Sequence, residues 1–256
     1  MRGFVIVLAL IALIGGGGYA VREYAPQYLP DQWTSDEVLT QRFGERMSED
    51  PRAAAFFAKF EEQFPADYNE LVSQVVALYR RNGTEQQAFV LGESYMRRFI
   101  EDNQAHIAGA EPAVLTELGR AISNGTTLLL EEDAAACGEA FREGRGFSME
   151  TEGMSAATQD AFAEIALVML DGIASGKRTQ TVYVQPSDAQ WMALVTRYEA
   201  LGGDTEALQA SANPMQMRTM PAPTICGMVE RMWVAALQAE DDFVPRFVSF
   251  SMRQAR

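Results

Sequence analysis

The chain has very little of the two residue types on which most metal and redox sites depend: one histidine and two cysteines among 256 residues. Zinc-binding and haem-attachment motifs need more of both, so neither motif is present. The cysteines, Cys137 and Cys226, are too far apart for a Cys-x-x-Cys redox motif. We therefore predict no resident cofactor.

Motifs for nucleophilic catalysis and phosphate binding are also missing. The stretches around Ser148 and Ser175 do not match Gly-x-Ser-x-Gly, and the run Gly15–Gly18 lacks the lysine and serine of a phosphate loop. The single histidine, His106, has no serine or cysteine beside it, which favours a capping or surface role over proton transfer. These absences favour a non-catalytic protein.

Basic residues are few as well, with 21 lysines and arginines against 35 aspartates and glutamates, a net charge of −14. Arg2 and Arg22 stand in or beside the apolar N-terminal run, so the remainder carries 19 basic and 35 acidic residues, or 19 − 35 = −16. Nucleic acid and anionic lipid headgroups repel a body this acidic. Nucleic-acid binding is therefore not predicted.

Residues 4–21 form an uncharged and mostly apolar run. Its strongly apolar part, Phe4–Ile14, has the length of a signal-peptide core, about 7–15 residues, and Gly18-Tyr19-Ala20 offers a cleavage site after Ala20. The whole run has 18 residues, at the lower edge of the roughly 17–25 that span a bilayer. Cleavage and retention are thus two alternatives, and either one exports the rest of the chain.

We favour a retained anchor at residues 1–22, which contacts the lipid bilayer through residues 4–21. Arg2 and the terminal amine stay on the cytoplasmic side by the positive-inside tendency. The expected location is the bacterial inner membrane, with residues 23–256 in the periplasm. In that oxidising compartment two cysteines favour a Cys137–Cys226 disulfide, and the alternative is a pair of unpaired core thiols.

Apolar residues recur at helical spacing along most of the body. One stripe runs from Tyr68 to Tyr79 and ends at Asn82-Gly83, a typical helix stop. We expect an all-α domain of about eight to ten helices, either a bundle or a helix-hairpin-repeat-like array. Only Thr179–Gln185 has an extended pattern, as a connector or as a strand that pairs with residues 146–152.

Two segments have the composition of internal linkers, residues 144–155 and residues 202–223. Because a disulfide would join the chain on both sides of the first, one domain over residues 23–256 is favoured. Ala55-Phe56 and Ala88-Phe89 lie 33 residues apart and resemble tetratricopeptide helix pairs. A third copy is missing, so the sequence does not establish a solenoid.

One pair of short fragments is similar to parts of the lytic transglycosylase signature: Glu93-Ser94 and Met215-Gln216. The resemblance implies a peptidoglycan-cleaving enzyme in which Glu93 is the general acid, with its pKa raised by an apolar pocket. The fragments are more than 120 residues apart, and the glycine and leucine before Met-Gln are missing. The alternative is that Glu93 is a solvated helix residue.

Methionines cluster at Met215, Met217 and Met220, with Met-x-Met-x-x-Met spacing between prolines. Thioethers are soft ligands that suit Cu(I), and the spacing resembles the methionine motifs of periplasmic copper-handling proteins over about six residues. The chain contains 13 methionines, however, so chance clustering is easy. The alternative is that these side chains pack in a hydrophobic groove or contact a partner.

Near the C-terminus, Phe243, Phe247 and Phe250 share one predicted helix face. This face either docks on a partner or a membrane surface, or it covers the helical core. The acidic run Glu131–Asp133 favours a helix start over a metal site. Together these features predict a non-catalytic, membrane-anchored periplasmic protein that acts as a scaffold or accessory subunit in a bacterial envelope protein complex.

Overall fold

The computed structural model of the protein describes residues 35–143, 153–240 and 242–254, and within these ranges it consists of eleven α-helices and no strand. The all-α prediction is confirmed, with slightly more helices than expected. The helices are α1 (Asp36–Ser48), α2 (Pro51–Gln63), α3 (Pro65–Arg80), α4 (Glu85–Ala108), α5 (Pro112–Arg142), α6 (Ala156–Thr179), α7 (Asp188–Ala200), α8 (Thr205–Ser211), α9 (Pro214–Thr219), α10 (Ala222–Leu237) and α11 (Phe243–Gln254).

The predicted membrane anchor, residues 4–21, lies outside the described residues. Across the ranges that the structure does describe, each helix is too short or too polar to cross a bilayer. The first predicted linker also lies outside them, apart from residues 153–155. The second, residues 202–223, contains the short helices α8 and α9, each started by an Asp or Asn side chain that accepts a hydrogen bond from the first turn.

The chain divides into two compact units, and the division lies within α4, between Phe99 and Ile100. In the described ranges these are residues 35–99 and residues 100–254. The division coincides with neither predicted linker.

The 35–99 unit is built on phenylalanines that α1, α2 and α4 contribute. Phe60 is fully buried, and its ring lies edge-on to Phe99 at 5.0 Å and to Tyr68 at 6.2 Å between centroids. Asp50 starts α2 by accepting a hydrogen bond from the Arg52 N–H at 2.8 Å. Pro65 opens α3 directly afterwards, so α2 and α3 form a short-looped helix pair.

In the 100–254 unit the long helix α5 packs against α6, α10 and α11. Two buried glycines let neighbours approach it closely, because an added Cβ at Gly125 would lie 2.9 Å from Ile165, and one at Gly119 would lie 3.0 Å from Val244. α5 is kinked at Asp133, whose φ and ψ are −151° and 82°. The Asp133 carboxylate accepts the Ala136 N–H at 2.8 Å, so it starts the second half of the helix, as the acidic run indicated.

A disulfide joins Cys137, just after this kink, to Cys226 on α10. Both residues are fully buried, and their Cα atoms are 5.5 Å apart. Gly138 makes the approach of α5 and α10 possible, since a Cβ there would lie 1.8 Å from the Ala222 carbonyl oxygen. Arg142, the last residue of α5, donates a hydrogen bond to the carbonyl oxygen of Met220, which lies two residues before α10.

Candidate functional site

The three methionines of the proposed copper motif lie in different surroundings. Met215 is 68% exposed, Met220 is buried with Ala207 and Ile225, and Met217 packs against that cluster. Met215 and Met217 are also two positions apart on α9, and residues at that spacing do not face each other. A three-thioether Cu(I) site is therefore not supported, and the packing alternative accounts for Met217 and Met220.

The proposed acid of the transglycosylase resemblance, Glu93, forms an ion pair with Arg97 one turn later on α4, with 2.6 Å between Oε1 and Nη2. Such i,i+4 pairs are common on helix surfaces, which agrees with the solvated-residue alternative. Glu93 belongs to the 35–99 unit, whereas Met215 and Gln216 belong to the other. His106, at the end of α4, has a buried Nδ1 with no hydrogen-bond partner in the described part of the chain.

The aromatic face of α11 covers the core of the 100–254 unit. Phe243 and Phe247 are buried, and the half-buried Phe250 lies 5.4 Å from Trp191 between ring centroids. Trp233 adds a second edge-on contact to Phe247, at 5.1 Å. The prediction that Phe243, Phe247 and Phe250 bind a partner therefore needs correction: rings packed against two tryptophans form core, and the core-covering alternative describes them.

A polar arrangement lies at the turn between α4 and α5, where three consecutive carbonyl groups accept hydrogen bonds from two other parts of the chain. Ser249 on α11 donates to the Ala108 oxygen at 2.7 Å, and the Thr181 N–H donates to the Gly109 oxygen at 2.7 Å. The Tyr183 hydroxyl donates to the Ala110 oxygen at 2.7 Å. These bonds hold the α4–α5 turn in place. They also anchor Thr181 and Tyr183, which follow α6, to that turn.

Residues 180–187, which we call the extended segment, connect α6 to α7 without regular secondary structure. The segment begins at Gln180, whose φ of 38° is a left-handed backbone conformation that ends α6. Anchored and exposed positions then alternate: Thr181 and Tyr183 bond the α4–α5 turn, while Val182 and Val184 are 85% and 73% exposed. This is the period of two of an extended chain, so both valines project from the same face.

Tyr183 is the main anchor of the extended segment. Burial raises the pKa of its hydroxyl, a hydrogen bond with Thr181 lowers it, and the charge of Glu111 raises it again. The net shift is upward, so the hydroxyl keeps its proton at neutral pH and remains a donor to the Ala110 oxygen.

We expect Tyr183→Phe to lower the free energy of unfolding by about 1 kcal/mol, because it leaves the Ala110 oxygen without its donor. Urea unfolding measures this loss. Hydrogen exchange should show faster exchange at the Thr181 amide, whose partner Gly109 lies in the same turn. Unchanged exchange at Thr181 would mean that Tyr183 does not hold the segment.

The valine face carries an unusual local charge. No acidic residue occurs between Asp171 and Asp188, whereas Lys177 and Arg178 fall inside that interval. Arg253, from α11, lies against the segment and donates to the Tyr183 carbonyl oxygen at 3.4 Å. A cation, Arg253, therefore lies against the segment, in a protein of net charge −14.

A second polar cluster fixes the start of α6. The exposed carboxylate of Glu132 accepts hydrogen bonds from the Thr158 hydroxyl at 2.5 Å, the Ser155 N–H at 2.5 Å and the Ser155 hydroxyl at 2.9 Å. The bond from the Thr158 hydroxyl contributes most to lowering the pKa of Glu132, followed by the Ser155 N–H. The cluster therefore needs the ionised carboxylate.

This shift gives stability a pH dependence with a defined sign. Because the pKa of Glu132 is lower in the folded chain, its contribution is present above the ordinary carboxyl pKa of about 4.3 and is lost as the pH falls through the folded value. We expect Glu132→Gln to be less stable than wild type at pH 7, and the difference to shrink towards pH 3. Urea unfolding at both pH values measures it; a gap that stays constant with pH would contradict this assignment.

No metal-binding cluster accompanies these features: across the ranges the structure describes, no three His, Cys, Asp or Glu side chains come together in a group able to hold an ion. No family model, curated protein or solved structure matches the chain.

The sequence predicted the extended segment but not the exposure of its valines. The alternation of Thr181-Val182-Tyr183-Val184 is visible in the sequence, and period two is the signal for one exposed and one anchored face. Pattern alone does not say which face is exposed, and the apolar valines are the ones that face solvent.

Proposed function

We propose that this protein is a non-catalytic, membrane-anchored periplasmic subunit that serves as a scaffold or accessory component of a bacterial envelope protein complex. The observation that carries this proposal is the extended segment, which displays Val182 and Val184 from a backbone fixed by the α4–α5 turn. Exposed apolar side chains on a firmly held segment are typical of contact surfaces.

The location is supported by independent features. The apolar run at residues 4–21 follows Arg2, as in a membrane segment with a cytoplasmic N-terminus. The Cys137–Cys226 disulfide suits an oxidising compartment such as the periplasm. The acidic body is compatible with a place beside other proteins and disfavours nucleic acid.

The test is the size of the intact protein extracted from membranes in mild detergent. We expect wild type to migrate in a complex larger than the monomer, and the double change Val182→Asp and Val184→Asp to release it. Met215→Asp is the matched control, because Met215 is similarly exposed, at 68%, but lies on α9. A wild-type chain that migrates as a monomer would overturn the proposed function.

A further inference from the structure

The tripeptide Asn-Gly-Thr occurs twice in the chain, beginning at Asn82 and at Asn124. An Asn-Gly pair is chemically reactive, because no side chain on the glycine hinders attack by its nitrogen on the asparagine side-chain carbonyl. The attack forms a bond from that nitrogen to the side-chain carbon, which loses its own amide nitrogen as ammonia. Water then opens the resulting succinimide ring at either carbonyl. The products are aspartate and isoaspartate, in which the main chain runs through the side-chain carbon.

The two pairs lie in opposite structural settings. The Asn124 side chain is exposed, but Asn124 and Gly125 lie inside the long helix α5, and Gly125 is buried. Each N–H inside a helix is held by the carbonyl oxygen four residues earlier. Asn82 is exposed in the turn between α3 and α4, outside both helices. Attack at Asn124 therefore requires the middle of a packed helix to open, whereas attack at Asn82 requires one turn to open.

The geometry of the α3–α4 turn favours this reactive pair. Asn82 has a φ of 59°, a left-handed conformation that asparagine tolerates better than most residues. A Cβ at Gly83 would lie 2.8 Å from the Leu78 carbonyl oxygen and 2.4 Å from the Leu78 Cγ, so this position needs glycine. The Asn82 N–H donates to the Tyr79 oxygen and the Gly83 N–H to the Leu78 oxygen, both at 3.0 Å. Both bonds are local, and turns of this kind open at a low free energy.

We propose that Asn82 is a site of spontaneous deamidation, which proceeds through a succinimide with Gly83, and that the isoaspartate product opens the α3–α4 turn. Isoaspartate adds one carbon atom to the main chain, so the two bonds back to α3 no longer fit. Its carboxylate lies at the C-terminal end of α3, where the helix dipole disfavours negative charge. Thr84 starts α4 by accepting the Gln87 N–H at 3.2 Å, so the change also reaches that helix.

This inference concerns the 35–99 unit and goes beyond the proposed function, which is carried by residues of the other unit. Its chemistry needs water and no partner, enzyme or oxidant.

The test is ageing of the full chain in detergent micelles at mildly alkaline pH, where the glycine nitrogen loses its proton more readily. Peptide mapping by mass spectrometry follows the conversion of each amide to an acid, and an isoaspartyl methyltransferase marks isoaspartate. We expect Asn82 to be converted at least about tenfold faster than Asn124, the matched control in the same chain. In urea that unfolds the chain, the two rates should agree within about threefold, because the same tripeptide is then open at both sites.

Hydrogen exchange measures the effect on the turn. In the fraction that contains isoaspartate, we expect the Gly83 and Gln87 amides to exchange at least about fivefold faster than in fresh protein. Ageing should leave both amides unchanged in Asn82→Gly, which accepts the positive φ but has no side-chain amide. Equal conversion of Asn82 and Asn124 in the folded chain, or faster conversion of Asn124, would overturn the site. Isoaspartate formed at Asn82 without faster exchange at either amide would overturn its effect on the turn.

Discussion

Replacing both cysteines by alanine is expected to lower the free energy of unfolding by about 4–5 kcal/mol, the largest stability change that we predict. The bridge spans 89 positions, and closing a loop of that length removes much of the conformational freedom of the unfolded chain. The bond also holds the second half of α5 against α10, at the place where the α5 backbone is already kinked. Urea unfolding of the double variant measures the loss.

Two controls separate the covalent bond from the packing of the sulfur atoms. Wild type treated with reductant should lose nearly as much stability as the Cys137→Ala, Cys226→Ala variant, because both lack the loop constraint but only the variant lacks the sulfurs. The double variant should then be insensitive to reductant. A wild type whose stability does not change on reduction would show that the disulfide does not constrain the unfolded chain.

Much of the helical architecture was predictable because its determinants are local. Asp50-Pro51 starts α2 and Asn82-Gly83 follows the end of α3, with Asn82 at a φ of 59°. The acidic run Glu131–Asp133 precedes a helical segment, as expected. That segment is the second half of α5, after the kink at Asp133, and not a separate helix. Local caps are visible in a sequence, whereas the merging of two helices across a kink depends on what packs around them.

The candidate site was less predictable because it depends on which residues meet. Phe243 and Phe247 looked like a docking face, yet Trp233 of the preceding helix and Trp191 of the more distant α7 pack against them. The methionine spacing suggested a converging ligand set, but α9 is helical and divides its methionines between core and solvent. The extended segment was visible as a pattern; its exposure follows from the bonds that the α4–α5 turn makes with Thr181 and Tyr183.

Gly176→Ala is expected to cost about 3 kcal/mol or more and to disorganise the extended segment as well. A Cβ at Gly176 would lie 1.8 Å from the His106 carbonyl oxygen and 2.5 Å from its carbonyl carbon. Both are backbone atoms, so no side-chain rotation relieves the clash, and α4 and α6 must separate. That movement also strains the hydrogen bond of 3.0 Å that the Glu111 N–H, in the α4–α5 turn, donates to the Ser175 hydroxyl oxygen.

Gly172→Ala is the matched control, one turn earlier on the same helix. The three atoms nearest its Cβ would belong to Ile107, the closest being a side-chain methyl at 3.3 Å, and alanine is the better helix former by up to about 1 kcal/mol. We therefore expect this variant to stay within about 1 kcal/mol of wild type. Urea unfolding gives both values, and hydrogen exchange at Thr181 should rise only in Gly176→Ala. Equal stability of the two variants would mean that the close approach of α4 and α6 does not hold the turn that presents Val182 and Val184.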